Sequence, residues 1–252
     1  MHYGLPVPAT GELAYGSFQR SVELFRLFLR EQSEPARFYT ALARDSVRMV
    51  QRYSQTAGAR VLDVGGGPGY FRAAFESAGA RYVAVDPDVG ELSAAGSPGP
   101  NTVLGSGMAL PLRDDAVDIA FSSNVLEHVP DPWRMADEMV RVTRPGGTVV
   151  ISYTLWWGPW GGHETAPWHY LGGRRAAQRY RRRYGAPPKN EFGTSLFPLT
   201  AADGIRWARR CDRATVVAVE PRYLPSWARG LVRVPGLREV ATWNLLLVLR
   251  AT

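Results

Sequence analysis

The residues best suited to chemistry in this chain are a run of glycines and two carboxylates. Gly65, Gly66 and Gly67 follow a short apolar run that contains Asp63. Glycine lets the backbone adopt unusual φ angles and approach a ligand closely. A second apolar run ends at Asp86, 23 residues after Asp63. A carboxylate there can accept hydrogen bonds from both hydroxyls of a ribose, so the pattern predicts a nucleoside site where two parallel strands end.

The same loop argues against a dinucleotide or a bound nucleotide phosphate. The pattern G-x-G-x-x-G, counted from Gly65, requires a third glycine where this chain has Tyr70. The carboxylate of Asp63 would repel a pyrophosphate and attract an ammonium group. A P-loop needs a lysine beside the glycines, and the single lysine, Lys189, lies far along the chain.

A second group of candidate residues lies in a stretch rich in tryptophan and glycine, 156–170. His163 and His169 could act as a general base for a hydroxyl or phenol, with Glu164 orienting one of them. The alternative is an ordered cap in which the histidines only bind loop backbone. The same two histidines and the glutamate could instead bind a divalent metal ion, but three ligands at irregular spacing are a weak pattern, so no metal site is assigned.

The third group is basic. Residues 1–150 carry a net charge of −3 and residues 151–252 carry +10, and six arginines fall within 174–184. This segment is predicted to form a helix, either simply solvated or in contact with an anionic or glycolipid acceptor, a membrane surface or RNA. RNA is the disfavoured partner because no RNA-binding module is recognisable beside it.

Hydrophobic periodicity indicates the elements that position these groups. Two amphipathic helices are predicted over 17–32 and from Pro35 to before Gly58. Strands are then predicted at 60–64, 82–85, 102–104, 117–122, 148–153, 214–219 and 243–249. Helices are predicted at 70–78, 131–142 and 201–210. A turn at 145–147 should precede the fifth strand. Short apolar strands that alternate with helices are typical of an α/β fold with a parallel sheet covered on both faces.

Composition limits the class of protein. Of the 252 residues, 45% are hydrophobic and 21% charged, which is typical of a folded globular domain. The single cysteine, Cys211, excludes an internal disulfide framework. No apolar run is long enough for a transmembrane helix, and residues 1–16 do not resemble a signal peptide, so we expect a cytoplasmic protein.

Five motifs in order resemble the class I S-adenosylmethionine-dependent methyltransferases, of the type 11-like group. They are 61–69, 83–86, Leu110-Pro111 with Asp118, 124–129, and 144–147. The resemblance covers residues 58–153 and implies a Rossmann-like, seven-stranded, mostly parallel sheet with an antiparallel last strand. We therefore expect one domain: N-terminal helices (1–57), cofactor-binding core (58–153), substrate cap inserted after the fifth strand (154–200), and a last helix with strands (201–252).

The resemblance also implies S-adenosylmethionine as cofactor and assigns its contacts. Gly65, Gly66 and Gly67 would let the methionine part approach, with Asp63 near its amino group. Asp86, followed by Pro87, would hold the ribose. Further implied contacts are Gly107 and Met108 at the adenine, and Ser123 and Asn124 near the methionine carboxylate or sulfonium. Ser106 stands where the family often has an acid for the adenine amino group. Glu127 and His128 are interpreted as structural.

The cofactor half says little about the methyl acceptor. We expect methyl transfer to a small-molecule or lipid-linked acceptor, at oxygen, with peripheral membrane contact through the basic cap. The alternatives are methylation of RNA or of a quinone-ring carbon, and a non-catalytic module that binds cofactor or a partner. The sequence does not indicate an oligomeric state.

Overall fold

A computed structural model describes residues 13–88 and 101–252. Most of the N-terminal segment 1–16 lies outside these residues. Within the described residues, seven strands form one sheet. The strands are β1 (Arg60–Val64), β2 (Arg81–Asp86), β3 (Thr102–Leu104), β4 (Val117–Ser123), β5 (Thr143–Thr154), β6 (Ala214–Pro221) and β7 (Asn244–Ala251).

Helices cover both faces of the sheet. The α-helices in the described residues are α1 (Phe18–Phe28), α2 (Pro35–Gln51), α3 (Tyr70–Ser77), α4 (Pro132–Val142), α5 (Gly173–Tyr184), α6 (Ala201–Arg210) and α7 (Leu237–Ala241). Short 3-10 helices lie at Leu126–His128, His163–Thr165, Trp168–Leu171 and Ser226–Arg233. None of the described helices combines the length and apolar character needed to cross a bilayer.

The strand order β3-β2-β1-β4-β5-β7-β6 confirms the expected α/β fold. The strands β1 to β5 pair in parallel, whereas β7 is antiparallel to both β5 and β6, as the resemblance implied. After β1 the chain builds the sheet on one side, and after β4 it builds the other. The crevice for a ligand therefore lies at the carboxyl ends of β1 and β4.

Local sequence explains where several helices begin. The Ser17 hydroxyl accepts a hydrogen bond from the backbone N–H of Arg20 (3.1 Å) and caps α1. Asp131 caps α4 in the same way, through the N–H of Arg134 (3.2 Å). Pro35 and Pro132 occupy the first positions of α2 and α4, where a missing N–H costs nothing.

The fifth strand is longer than predicted. The segment 145–147 was expected to be a turn before the strand, but β5 already begins at Thr143, which pairs with Val117. The register then shifts, because Thr148 pairs with Ile119, and Gly146 takes a φ of +75° in the extra residues. The Pro-Gly-Gly signal therefore marks an irregularity within β5.

A buried ion pair anchors the N-terminal helices over the sheet. Arg20 of α1 donates two hydrogen bonds to the carboxylate of Asp45 in α2, and both side chains are almost fully buried. Arg20 also donates to the backbone carbonyl of Arg222, beyond β6 (2.9 Å). Because a buried charge without its partner is strongly destabilising, this pair holds α1 against α2. The contact with Arg222 ties α1 to the segment that follows β6.

Candidate active site

Asp63 is a deeply buried acid at the carboxyl edge of the sheet. It lies in β1, is 1% exposed, and accepts a hydrogen bond from the Tyr82 hydroxyl (2.5 Å). Burial raises the pKa of Asp63 to about 7, and the hydrogen bond from Tyr82 opposes the rise. The negative charge of nearby Asp86 also raises it. A cationic group placed here would stabilise the ionised carboxylate.

The glycine loop needs its glycines for two physical reasons. Gly65 has a φ of +81°, and a Cβ at that position would lie 2.5 Å from a methyl of Val125. At Gly66 a Cβ would lie 2.9 Å from Ala84 and 3.2 Å from a carboxylate oxygen of Asp63. Gly67 also has a positive φ (+47°), but a Cβ there would meet nothing within 4 Å. The loop is therefore tightly packed at Gly65 and Gly66 and open at Gly67, as a loop that cradles a ligand requires.

Asp86 ends β2 beside this loop. Its carboxylate accepts hydrogen bonds from the backbone N–H of Gly67 (3.0 Å) and of Asp88 (2.9 Å). These contacts fix its orientation at the mouth of the crevice. Pro87, which follows, is exposed.

The predicted adenine contacts follow β3. Gly107 is tightly packed, because a Cβ would lie 3.0 Å from Val64 and 3.1 Å from Met135. Met108 is partly buried against the core. The Ser106 hydroxyl accepts a hydrogen bond from the backbone N–H of Met108 (3.2 Å). This serine therefore shapes the turn that would carry an adenine ring.

The end of β4 carries a polar network. Ser123 accepts a hydrogen bond from the guanidinium of Arg222 (2.6 Å), which is fully buried. Asn124 has a φ of +57°. Its amide donates to the Tyr223 hydroxyl (3.1 Å), and its oxygen accepts from Asn244 (2.7 Å). These contacts hold Asn124 in the left-handed conformation, which asparagine tolerates better than most residues.

These residues fit S-adenosylmethionine. The open side of Gly67 gives room for its methionine part, and the buried Asp63 carboxyl matches its ammonium group. Asp86 presents a carboxylate at the neighbouring strand end, where a ribose would lie. The residues predicted to contact the cofactor thus lie along the carboxyl edge of β1 to β4. They are Asp63, the three glycines, Asp86, Ser106, Gly107, Met108, Ser123 and Asn124.

The cap after β5 is held down by aromatic packing. The indole of Trp160 contacts Phe25 and Phe28 of α1 and Trp243 before β7, with ring centroids 5.6, 5.3 and 4.9 Å apart. His169 lies inside the cap. It is fully buried, and its Nε2 lies 3.2 Å from the carbonyl of Gly158. A base must reach its substrate, so this geometry favours His163 over His169.

His163 meets two residues that were interpreted as structural. The rings of His163 and His128 are 5.0 Å apart, and these side chains form a cluster with the buried carboxylate of Glu127. Burial lowers the pKa of His163, while the Glu127 charge opposes that shift. His163 therefore remains neutral at physiological pH and can accept a proton.

Glu164 lies beside this cluster rather than within it. Its carboxylate accepts a hydrogen bond from the amide of Asn190 (2.8 Å) at the exposed surface. Among the described residues, Glu164 hydrogen-bonds neither histidine, and the carboxylate that shares the cluster with His163 is that of Glu127. The adjacency of Glu127 and His128, directly after β4, was the signal that could have found this pair.

Protonation of Asp63 should make cofactor binding depend on pH. The carboxyl is neutral below its pKa of about 7 and ionised above it, and an ammonium group prefers the ionised form. Affinity for S-adenosylhomocysteine should therefore rise about tenfold from pH 6 to pH 8. Calorimetric titrations across this range measure it. Asp63→Asn should bind weakly at every pH, and a wild-type affinity that does not change with pH would contradict the contact.

Asp86 should dominate binding of the ribose. Asp86→Asn removes the charge that strengthens hydrogen bonds from the hydroxyls, so affinity for S-adenosylhomocysteine should fall about 10- to 100-fold. Asp115→Asn is the matched control, because Asp115 is exposed in a distant turn with a φ of +58° that asparagine tolerates. NAD should bind neither protein. Equal affinities of the two variants would remove Asp86 from the site.

Known relatives extend over nearly the whole chain. A protein of Mycobacteroides abscessus described as an uncharacterized methyltransferase is 53% identical over 247 residues, covering 93% of this chain and 95% of the relative. One from Mycobacterium avium with the same description is 55% identical over 241 residues, covering 92% and 94%. The family model of a methyltransferase domain matches residues 62–151.

Solved structures share the fold at low identity. An S-adenosylmethionine-dependent methyltransferase from Mesorhizobium loti superposes with a TM-score of 0.56 at 22% identity, covering 82% of this chain and 97% of that one. The PH0226 protein from Pyrococcus horikoshii gives a TM-score of 0.58 at 15% identity, covering 91% and 99%. With the close relatives and the cradle at the carboxyl edge, they lead to one conclusion: the chain belongs to the S-adenosylmethionine-dependent methyltransferases.

Proposed function

We propose that the protein methylates an oxygen atom of a small-molecule or lipid-linked acceptor in the cytoplasm. The observation that carries this proposal is the cluster of Glu127, His128 and His163. A hydroxyl must lose its proton during methylation, so its enzyme needs a basic group at the acceptor. The cluster supplies one carboxylate and two imidazoles.

The position of the cluster supports this role. Glu127 and His128 lie on the 3-10 helix Leu126–His128, just beyond the carboxyl end of β4. The preceding residue, Val125, packs directly against Gly65 of the cofactor loop. The cap then adds His163 from above. The cluster thus adjoins the cofactor crevice at the junction of core and cap.

The chain has two tasks in the transfer. When bound, S-adenosylmethionine supplies a methyl group on a positively charged sulfur, which is electrophilic without help from the protein. The glycine loop, Asp63 and Asp86 hold the cofactor, while the cap holds the acceptor oxygen in line with the methyl carbon. The acceptor's proton leaves at the cluster around His163.

Exposed side chains on the cap favour a lipid-linked acceptor. Trp168 and Leu171 are 44% and 64% exposed, and they immediately precede α5. The guanidinium of Arg179 lies 3.9 Å from the ring centroid of Trp168, and both Arg174 and Arg175 are exposed. Indole rings beside arginines suit the headgroup region of an anionic bilayer.

Replacing His163 should separate catalysis from cofactor binding. His163→Asn suits the positive φ at this residue (+47°). Turnover should fall by about 10²- to 10⁴-fold because the acceptor's proton leaves less readily. Affinity for S-adenosylhomocysteine should stay unchanged. The measurement is transfer of labelled methyl groups to hydroxylated aromatic compounds and to a mycobacterial lipid extract.

Glu164→Gln is the control for that experiment, because Glu164 is adjacent but exposed. It should retain nearly full turnover. Undiminished turnover in His163→Asn, or label recovered on carbon rather than oxygen, would overturn the proposal.

The lipid surface can be tested with vesicles. Wild-type protein should bind vesicles that contain phosphatidylglycerol more tightly than neutral phosphatidylcholine vesicles. Reversing Arg174 and Arg175 to Glu should cut binding at least about tenfold, since each basic residue contributes about 1 kcal/mol near an anionic surface. Reversing the exposed Arg209 and Arg210 of α6 is the matched control. An equal loss in both double variants would mean that net charge alone, not the cap, causes binding.

A further inference from the structure

Three metal-ligating side chains converge from two parts of the chain. Glu127 and His128 come from the end of β4, and His163 comes from the cap. One ligand atom of each, a carboxylate oxygen or an imidazole nitrogen, lies within 4.8 Å of the other two. Residues 35 positions apart in sequence therefore meet at one point.

Neighbouring backbone groups hold two of these side chains through one polar atom each. Oε1 of Glu127 accepts a hydrogen bond from the backbone N–H of Thr154 at the end of β5 (3.0 Å). Nδ1 of His128 lies 2.7 Å from the carbonyl of Ser195. A carbonyl can only accept, so Nδ1 carries the hydrogen and Nε2 keeps a free lone pair. A backbone carbonyl that fixes the tautomer in this way is common around metal-ligating histidines.

Two buried polar atoms of the cluster are unsatisfied. Oε2 of Glu127 and Nδ1 of His163 are both buried and have no hydrogen-bond partner among the described residues. The whole Glu127 side chain is only 1% exposed. A buried, half-satisfied carboxylate is costly, and such groups call for an explanation, for example an ion.

We propose that Glu127, His128 and His163 bind a divalent transition-metal ion of the Zn²⁺ type. Two imidazoles and one carboxylate suit Zn²⁺, Mn²⁺ or Fe²⁺, whereas Mg²⁺ prefers oxygen ligands and bound water. The ion would neutralise Glu127 and satisfy Oε2. Three protein ligands leave a coordination position open, as in catalytic zinc sites.

The site needs only a small contraction. Ligands about 2.0–2.1 Å from a tetrahedral ion lie roughly 3.4 Å apart, so a pair now at the 4.8 Å limit must approach by about 1.4 Å. The His163 ring is the one that can adjust, because its Nδ1 has no hydrogen-bond partner among the described residues. The Glu127 and His128 side chains are already anchored by Thr154 and Ser195.

The catalytic consequence rests on the proposed function. An acceptor hydroxyl bound at the open position would lose its proton to solvent more readily, because the cation stabilises the oxyanion. The oxygen–carbon bond then forms as the sulfur–carbon bond breaks, and sulfur keeps the electron pair. With the metal bound, the lone pair of His163 is occupied, so the cation promotes loss of the proton in place of the imidazole acting as a base.

Metal binding can be measured without knowing the acceptor. Purified full-length protein is freed of metal with EDTA, dialysed, and titrated with ZnCl₂ in a calorimeter. Wild type should bind one equivalent, and a hundredfold excess over Kd should raise Tm by roughly 5 °C or more. Co²⁺ should give visible absorption bands typical of four- or five-coordinate nitrogen and oxygen ligands. MgCl₂ should cause neither change.

Two variants and one control identify the ligands. Glu127→Gln keeps an oxygen for Thr154 but lacks the charge, and His163→Asn tolerates the local backbone. Each should weaken Zn²⁺ binding at least about 100-fold and abolish the Co²⁺ bands, while the metal-free Tm shows whether it still folds. Glu164→Gln should bind like wild type.

The outcomes separate the two proposals. Wild type that binds no Zn²⁺, or Zn²⁺ binding of equal strength in folded Glu127→Gln and His163→Asn, would overturn the metal site. O-methylation that depends on His163 in metal-free enzyme would then leave the proposed function standing. Zn²⁺ binding at these residues without any oxygen acceptor would uphold the site and contradict the function.

Discussion

The register of β1 between β2 and β4 is the constraint on which the site depends. Val64 pairs with Val85 and Asp63 with both Ala84 and Phe121, so the three strands end at nearly the same level. Side chains alternate between the faces of a sheet, and a slip of one residue would reverse the direction of Asp63. Such a slip would take the carboxylate of Asp63 away from the Tyr82 hydroxyl that stabilises it. This pairing sets the positions of the glycine loop, Asp86 and the 3-10 helix after β4.

Two buried carboxylates at this edge have the same physical requirement. Asp63 is stabilised by the Tyr82 hydroxyl, and Glu127 by the backbone N–H of Thr154. Each lacks a full countercharge in its immediate surroundings, and burial makes that lack costly. A cationic partner is therefore favourable at both places: the ammonium of the cofactor at Asp63 and, as proposed, a metal ion at Glu127. This edge of the sheet therefore favours positively charged ligands, although the chain as a whole carries a net charge of +7.

The parts outside the common core form the other wall of the site. The family model matches residues 62–151, and both the N-terminal helices and the cap lie outside that range. Trp160 joins them by packing against Phe25 and Phe28. The buried pair of Arg20 and Asp45 locks α1 and α2 in place. Specificity for the acceptor is therefore expected to come from these two segments together, because the cap carries His163 and α1 supports the cap through Trp160.

The sequence by itself determined the α/β fold class and the residues on the cofactor side of the site. Apolar runs, glycines and capping residues act over a few positions, so local patterns specify β1, the loop after it and Asp86. The shape of β5 and the grouping of Glu127, His128 and His163 depended on tertiary structure. Spacing favoured His163 with His169 and Glu164, but the cap buries His169 and turns Glu164 towards Asn190. Contacts between segments far apart in the chain follow from packing the whole cap on the sheet, which no local pattern records.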